Sequence, residues 1–154
     1  MSKKFLQFNR LSNADLLAKA KSLPPQGYVQ KTPSGLIYLK IDDDYIHRLF
    51  PLLTAENKVK PDYFGCEGIG AHISLIYPQE NFYCSPFYLD MIYSFALDGL
   101  YEAKVKENTY YVLRILSTSL SALRRQCGLP LKLNFDGYNI DLHITIGKEQ
   151  RTMG

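Results

Sequence analysis

Two short segments of the chain carry the same order of a histidine, one isoleucine and a hydroxyl residue. They are residues 72–74 (His-Ile-Ser) and residues 143–145 (His-Ile-Thr). Because side chains alternate between the two faces of a strand, each histidine shares a face with its hydroxyl residue, and the isoleucine points the other way. An imidazole with a pKa of about 6.5 can donate or accept a proton near neutral pH. A hydroxyl can bind the oxygens of an anion. The two segments therefore predict one acid–base site for an anionic group.

Other catalytic chemistries have less support in the sequence. A catalytic zinc ion needs three protein ligands, and the cysteines at positions 66, 84 and 127 lack the spacing of a metal site. His47 lies off the apolar stripe of its predicted helix, which indicates a surface residue. The Gly-x-Ser-x-Gly pattern of a serine nucleophile is absent. We expect no metal ion and no cofactor.

The composition indicates an ordinary globular protein. A chain of 154 residues that is 46% hydrophobic can bury a core in one domain. An odd number of cysteines favours a reducing compartment, so we expect a cytoplasmic location. No apolar run is long enough for a signal peptide or a membrane span.

The first 33 residues have a separate character. Residues 1–31 hold six Lys or Arg residues and one acidic residue, so they could attract a polyanion such as RNA or form a solvated helix face. Ser12 is the predicted N-cap of a helix that ends at Pro24. We predict an N-terminal helix and connection over 1–33, followed by one domain over 34–154.

The rest of the chain has the same plan twice. A strand over 35–41 and a helix precede the strand with His72, and a strand over 109–116 and a helix precede the strand with His143. The last of these strands is predicted over 138–147. This repetition predicts an α+β fold of two lobes, with duplicated strand–helix–strand units related by a pseudo-two-fold axis and mainly antiparallel sheets around a central cleft. Further strands are predicted over 100–106 and 131–135.

Strand parity adds candidates for substrate binding. Tyr38 lies opposite the apolar face of its strand and could stack on a base. Tyr110 and Arg114 share a face, and Arg114 could hold a phosphate. Lys148 and Arg151 follow the second motif and could add positive potential.

The motifs resemble those of the 2H phosphoesterase superfamily, which has two His-x-Ser/Thr motifs with apolar flanks. The matching segments are residues 71–75 and 142–146, and residues 110–115 and 121–125 are similar to the strand and helix before the family's second motif. The resemblance covers roughly residues 34–150. The family includes 2′-5′ RNA ligase-type enzymes, cyclic phosphodiesterases, U6 RNA-trimming enzymes and phage nucleases that destroy cyclic-oligonucleotide immune signals (anti-CBASS). The compact size and the spacing of 71 positions from His72 to His143 are most similar to that last, small branch.

The resemblance implies metal-independent cleavage of a phosphodiester. His72 and His143 would divide the acid and base work, and Ser74 and Thr145 would donate hydrogen bonds to the non-bridging oxygens. The substrate would be a cyclic nucleotide, a cyclic oligonucleotide or RNA. The sequence leaves open which histidine is the acid.

Two alternatives remain open from the sequence. The same fold could bind a nucleotide or an RNA end without cleaving it, although binding alone would not need two proton-transfer groups. The motifs could also be packing accidents in an interaction protein whose tyrosine-rich segment 77–93 contacts a partner. The oligomeric state is likewise open.

Overall fold

The computed structural model describes residues 4–5, 8–61, 68–80, 88–105, 107–135 and 138–150. These residues form mostly antiparallel sheet with three short α-helices. Among them, no helix is both long and apolar enough to cross a membrane. In chain order the elements are β1 (Lys4–Phe5), β2 (Phe8–Leu11), α1 (Ala14–Lys21), β3 (Gln26–Lys31), β4 (Ile37–Lys40), α2 (Asp44–His47), a 3-10 turn (Phe50–Leu52), β5 (Lys58–Val59), β6 (His72–Ile76), β7 (Ile92–Ser94), β8 (Ala96–Val105), β9 (Asn108–Leu116), α3 (Thr118–Gln126), β10 (Leu133–Phe135), β11 (Tyr138–Ile140) and β12 (His143–Gln150).

One large sheet carries both motifs. Its strand order is β2-β8-β9-β12-β6-β4-β3-β7, and the short strand β5 pairs with the far end of β12. Every pair in this nine-stranded sheet is antiparallel. A smaller sheet joins β1, β11 and β10. The two motif strands, β6 and β12, are therefore hydrogen-bonded neighbours in the middle of the large sheet.

The core lies on one face of this sheet. Ile73 and Leu75 of β6 and Ile144 and Ile146 of β12 are fully buried, as the alternation of each motif predicts. The same hydrophobic cluster includes the inward residues of the helices, namely Leu16 and Ala20 of α1, Tyr45 and Ile46 of α2, and Leu120 and Leu123 of α3. The histidines and hydroxyl residues of the motifs consequently occupy the opposite face.

Helix α1 begins one residue later than predicted. The N-cap is Asn13, not Ser12, because the Asn13 side-chain oxygen accepts a hydrogen bond from the backbone N–H of Leu16 at 3.1 Å. The Asn13 amide also donates to the carbonyl of Leu52 at 2.9 Å. The asparagine side chain has a separate donor and acceptor, so it caps the helix and bonds to Leu52 at the same time.

Several strands differ from the predictions. The predicted connection after α1 contains β3, whose inward residues are Gly27 and Val29, so a single large apolar side chain marks the alternation. The predicted strand 138–147 is two strands, because β11 pairs in the small sheet and β12 begins only at His143. Strands β2 and β3 both belong to the sheet that carries the motifs. The domain boundary at residue 34 stays a prediction.

Candidate active site

The register of β6 and β12 brings the two motifs together. Ile144 lies directly opposite Ile73. In an antiparallel pair this register places His143 opposite Ser74 and Thr145 opposite His72. Directly opposed side chains have Cβ atoms about 5 Å apart. The four groups therefore form one cluster on the face of the sheet away from the core.

Each imidazole is oriented by the backbone two residues before it. Nδ1 of His72 lies 2.8 Å from the carbonyl oxygen of Gly70, and Nδ1 of His143 lies 2.8 Å from that of Asp141. A carbonyl oxygen only accepts hydrogen bonds, so Nδ1 carries the proton in both rings. Nε2 is then the nitrogen of each ring that can accept or donate a proton to a substrate.

An ion pair fixes the backbone beside His72. The Asp43 carboxylate accepts hydrogen bonds from the Ala71 N–H at 3.0 Å and from the Lys40 ammonium group, which also donates to the Ala71 carbonyl at 3.2 Å. Partial burial opposes ionisation of Asp43, but these hydrogen bonds lower the pKa of its carboxyl group. Gly70 has a φ of +78°, and a Cβ there would lie 2.6 Å from the Asp43 oxygen. Glycine at position 70 therefore allows the ion pair and the carbonyl that orients His72.

Carboxylates surround the backbone beside His143. Arg114, which lies opposite His143 on β9, pairs with Asp141 at 3.2 Å and with Asp98 at 3.1 Å. Lys132 reaches Asp141 at 3.7 Å. Arg114 lies on the predicted face, but its guanidinium group is engaged by two carboxylates, so it holds Asp141 in place. Its role as a phosphate ligand stays a prediction.

An aromatic ring meets the edge of each imidazole. The ring of Tyr38, on β4, lies 5.6 Å from that of His72 at an angle of 76°. The ring of Phe8, on β2, lies 6.0 Å from that of His143 at an angle of 88°. Tyr38 therefore lies in the site as its strand parity predicts. Phe8 was missed because it precedes the predicted domain and no motif marks it.

The surroundings perturb the two imidazoles unequally. Burial, together with the neighbouring positive charges of His143 and Lys40, lowers the pKa of His72 to about 4, although the hydrogen bond to Gly70 opposes the shift. Desolvation also lowers the pKa of His143, but the carbonyl and the negative charge of Asp141 both oppose this effect. Of the two rings, His72 has a cationic neighbour and His143 an anionic one.

A small cavity of about 140 Å³ opens beside His143 and Thr145. Tyr110 lines it, in agreement with the face assigned to this residue from the sequence. Tyr77 also lines it and was missed by the sequence reasoning, because it lies just beyond strand β6. Burial raises the pKa of the Tyr77 phenol, although its hydrogen bond with Ser74 opposes the shift. Its hydroxyl therefore stays protonated at neutral pH and in contact with a motif residue.

A buried ion pair supports the end of β6. Arg124 of α3 is fully buried and pairs with Glu80 at 2.7 Å. It also donates to the carbonyl of Leu75 at 2.7 Å, and Glu80 accepts from the Tyr77 N–H at 3.0 Å. This pair links α3 to the residues that follow Ser74. The sequence signal for it is a charged residue on the apolar face of α3, one turn after Leu120.

The remaining predicted residues lie farther along β12 or outside the described residues. Lys148 is opposite Tyr110 on one side and Val59 on the other, beyond the bulge that follows Thr145. Arg151 and residues 81–87 of the tyrosine-rich segment lie outside the described residues. Within the described ranges, no group of three or more His, Cys, Asp or Glu residues could hold a metal ion.

Comparison with known protein families shows which family the chain belongs to. The family model described as "Swiss Army Knife, 2H phosphoesterase domain" matches residues 37–153, more than half of the chain. The chain belongs to the 2H phosphoesterase family. Comparisons with curated proteins and with solved structures gave no match. The family match includes both motifs and every described element from β4 to β12, whereas β2, α1 and β3 precede it.

Proposed function

We propose that this 2H phosphoesterase is a metal-independent phosphodiesterase that cleaves its substrate by acid–base catalysis. The observation that carries the proposal is the pairing of β6 with β12, which brings two imidazoles and two hydroxyls together on one face. His72, Ser74, His143 and Thr145 are the proposed catalytic residues. Tyr38, Tyr110, Arg114 and Lys148 are the proposed substrate-binding residues.

We assign His72 as the general base and His143 as the general acid. Nε2 of His72 accepts the proton of the nucleophile, either water or a ribose 2′-hydroxyl, and the nucleophile's oxygen forms the new bond to phosphorus. The bond from phosphorus to the leaving oxygen breaks, and that oxygen takes a proton from Nε2 of His143. The Lys40 ammonium group beside His72 favours its neutral form, and the Asp141 carboxylate beside His143 favours its protonated form.

The two hydroxyls stabilise the rearranging charge. Ser74 and Thr145 donate hydrogen bonds to the non-bridging oxygens, where negative charge redistributes as the nucleophile attacks. Ser74 lies opposite His143 and Thr145 lies opposite His72, so a phosphate held between the two imidazoles is within reach of both hydroxyls.

The proposed substrates share a phosphodiester next to a ribose. They are a cyclic nucleotide, a cyclic oligonucleotide or RNA, and destruction of a cyclic-oligonucleotide immune signal (anti-CBASS) is one such activity. RNA processing through a 2′,3′-cyclic phosphate is the alternative within the same chemistry. The odd number of cysteines supports a cytoplasmic location. We also propose a duplicated strand–helix–strand unit, supported by the strand order on either side of the β6–β12 pair.

A non-catalytic nucleotide-binding module is the second candidate. One observation favours it, namely that the pKa of both histidines lies below the ordinary value in the free protein. An acid role for His143 then requires that the substrate phosphate, with its negative charge, raises the pKa of this ring on binding.

Product analysis by mass spectrometry tests the proposal. Purified protein in EDTA is incubated with 2′,3′-cyclic mononucleotides, cyclic di- and trinucleotides, 2′-5′ oligoadenylate and short RNA. We expect cleavage of at least one substrate that is lost in His72→Ala and in His143→Ala. Binding of a substrate without any product would instead support the binding module. Cleavage that survives both substitutions would contradict the two-histidine mechanism.

A further inference from the structure

We propose that the apolar cavity beside His143 is a subsite for one nucleobase of the substrate, and that Phe8 of the N-terminal strand β2 forms one of its walls. This inference rests on the proposed function, because it assumes that the phosphate binds at the motif residues. It adds the side on which the base lies and a role for residues before the family match.

The chemistry of the walls favours a planar, uncharged group. Phe8, Ala103, Val105, Val112 and Ile140 line the cavity with apolar side chains. No Lys, Arg, Asp or Glu among the described residues lines it. A phosphate placed inside would lose water without gaining a charged partner, which is costly. The face of a nucleobase loses little on entering and gains contact with aromatic rings.

The size of the cavity limits the ligand to a single ring system. Pockets that enclose a drug-sized molecule have volumes of about 300–1,000 Å³, whereas this cavity has about 140 Å³. His143 and Thr145 stand at its boundary. A nucleotide whose base fills the cavity therefore places its sugar and phosphate at the motif residues.

The other flank of the site has a different character. Lys40, which lies opposite His72, lines an open hollow of about 450 Å³ together with Asp42 and Asp43 and with the apolar side chains of Pro24, Ile41 and Ile92. Its two carboxylates and one ammonium group suit water or a sugar hydroxyl better than the uncharged face of a nucleobase. The two flanks thus give the substrate one preferred direction across the histidines, with its base on the side of His143.

The N-terminal strand completes the cavity. Phe8 lies opposite Ala103 in the β2–β8 pair, and its ring lies 6.0 Å from both the His143 ring and the Tyr101 ring. These contacts place the Phe8 ring against the imidazole of His143 and the ring of Tyr101. Because β2 precedes the residues matched by the family model, this wall is an addition to the matched domain.

Equilibrium binding tests the subsite independently of turnover. Adenosine and uridine 3′-monophosphates are compared with base-free ribose 3-phosphate by isothermal titration calorimetry. We expect the nucleotides to bind the unmodified chain at least about 10-fold more tightly, as stacking of one base would provide. Ala103→Phe fills the cavity with a ring and should remove this difference, while the affinity for ribose phosphate stays within about 2-fold.

Two further variants test for a nonspecific effect of the added ring and for misfolding of Ala103→Phe. Ala96→Phe makes the same change at an exposed position of the same strand and should leave both affinities unchanged. Phe8→Ala removes one wall and should weaken nucleotide binding even if Ala103→Phe does not fold. Equal affinity of the unmodified chain for nucleotides and ribose phosphate, or no binding of either, would overturn the subsite. The proposed phosphodiesterase activity is judged separately by cleavage in EDTA, so the two failures are distinguishable.

Discussion

The surroundings of His72 and His143 are alike in geometry and different in charge. Both rings bond through Nδ1 to the carbonyl two residues earlier, and both meet an aromatic ring edge-on. Besides the other histidine, the charged side chain that acts on His72 is the cationic Lys40, whereas the anionic Asp141 acts on His143. One local motif, used twice, therefore orients two identical side chains in the same way. The difference in charge comes from Lys40 on the neighbouring strand β4 and from Asp141, two residues before His143.

The largest expected effect comes from removing either ring. His72→Ala and His143→Ala should each lower kcat by about 10²- to 10⁴-fold, because each removes one proton-transfer group. Steady-state kinetics on the substrate found by product analysis measure this effect. His47→Ala is the matched control, since His47 is exposed on α2 and should retain full activity. A small loss in only one of the two site variants would break the idea that the rings act as a pair.

The buried ion pair at the end of β6 is expected to matter for stability. Arg124→Met leaves the Glu80 carboxylate buried without its partner and should lower the free energy of unfolding by about 3–5 kcal/mol. Urea denaturation measures the change. The double variant Arg124→Met with Glu80→Leu should recover much of the loss, because it removes the orphaned charge. If the single and double variants had the same free energy of unfolding, the loss in Arg124→Met would not come from the unpaired Glu80 carboxylate.

The pH dependence of kcat tests whether Lys40 and Asp141 set the pKa values of the two histidines. Under the proposed mechanism, activity requires neutral His72 and protonated His143, so it rises with pH through the pKa of His72 and falls through the pKa of His143. Asp141→Asn removes the anion beside His143, which lowers its pKa and moves the alkaline limb to lower pH. At a fixed pH on that limb, kcat should fall roughly 3- to 10-fold. Lys40→Met should instead move the acidic limb upward, because it raises the pKa of His72.

One result would contradict the assignment of the acidic limb to His72 and the alkaline limb to His143. If Asp141→Asn moved the acidic limb and left the alkaline limb in place, His143 would be the base. Lys104→Met removes an exposed lysine on β8 and controls for a general change in net charge.

The smallest expected effect concerns Tyr77. Tyr77→Phe removes the hydroxyl that bonds to Ser74 and should lower kcat roughly 2- to 10-fold, with little change in KM. Such a split between kcat and KM indicates a positioning role, whereas a purely structural role would appear in the urea midpoint. Tyr93→Phe, on the edge strand β7, is the control. An unchanged kcat would mean that Ser74 does not depend on Tyr77.

The motifs themselves could be predicted because alternation is a local property. The burial of Ile73 and Ile144 and the position of Tyr38 follow from residue types two positions apart. The partners of Arg114 could not be predicted, since Asp98 on β8 and Asp141 in the connection between β11 and β12 reach it from separate parts of the chain. Strand pairing across long stretches of chain depends on the whole core, which a short window of sequence does not contain.

The missed residues share a similar cause. Phe8 belongs to a strand of four residues without a repeated apolar pattern, and Tyr77 lies one residue beyond a strand end. Phe8 reaches the site through the pairing of β2 with β8, two strands that are distant in sequence. The prediction of Ser12 as the N-cap was wrong because two adjacent polar residues could both cap α1. The hydrogen bond from Asn13 to Leu52, which is distant in sequence, distinguishes them.

The central claim is that His72 is the base and His143 the acid, and a substrate with a good leaving group tests it most directly. A nucleoside 3′-(4-nitrophenyl phosphate) releases nitrophenolate, which needs no proton from a general acid. The account predicts that His143→Ala cleaves this substrate at close to the rate of the unmodified chain, whereas His72→Ala stays about 10²-fold slower or worse. Rescue of His72→Ala and not of His143→Ala would contradict the assignment, and rescue of neither would contradict acid catalysis of leaving-group departure by either ring.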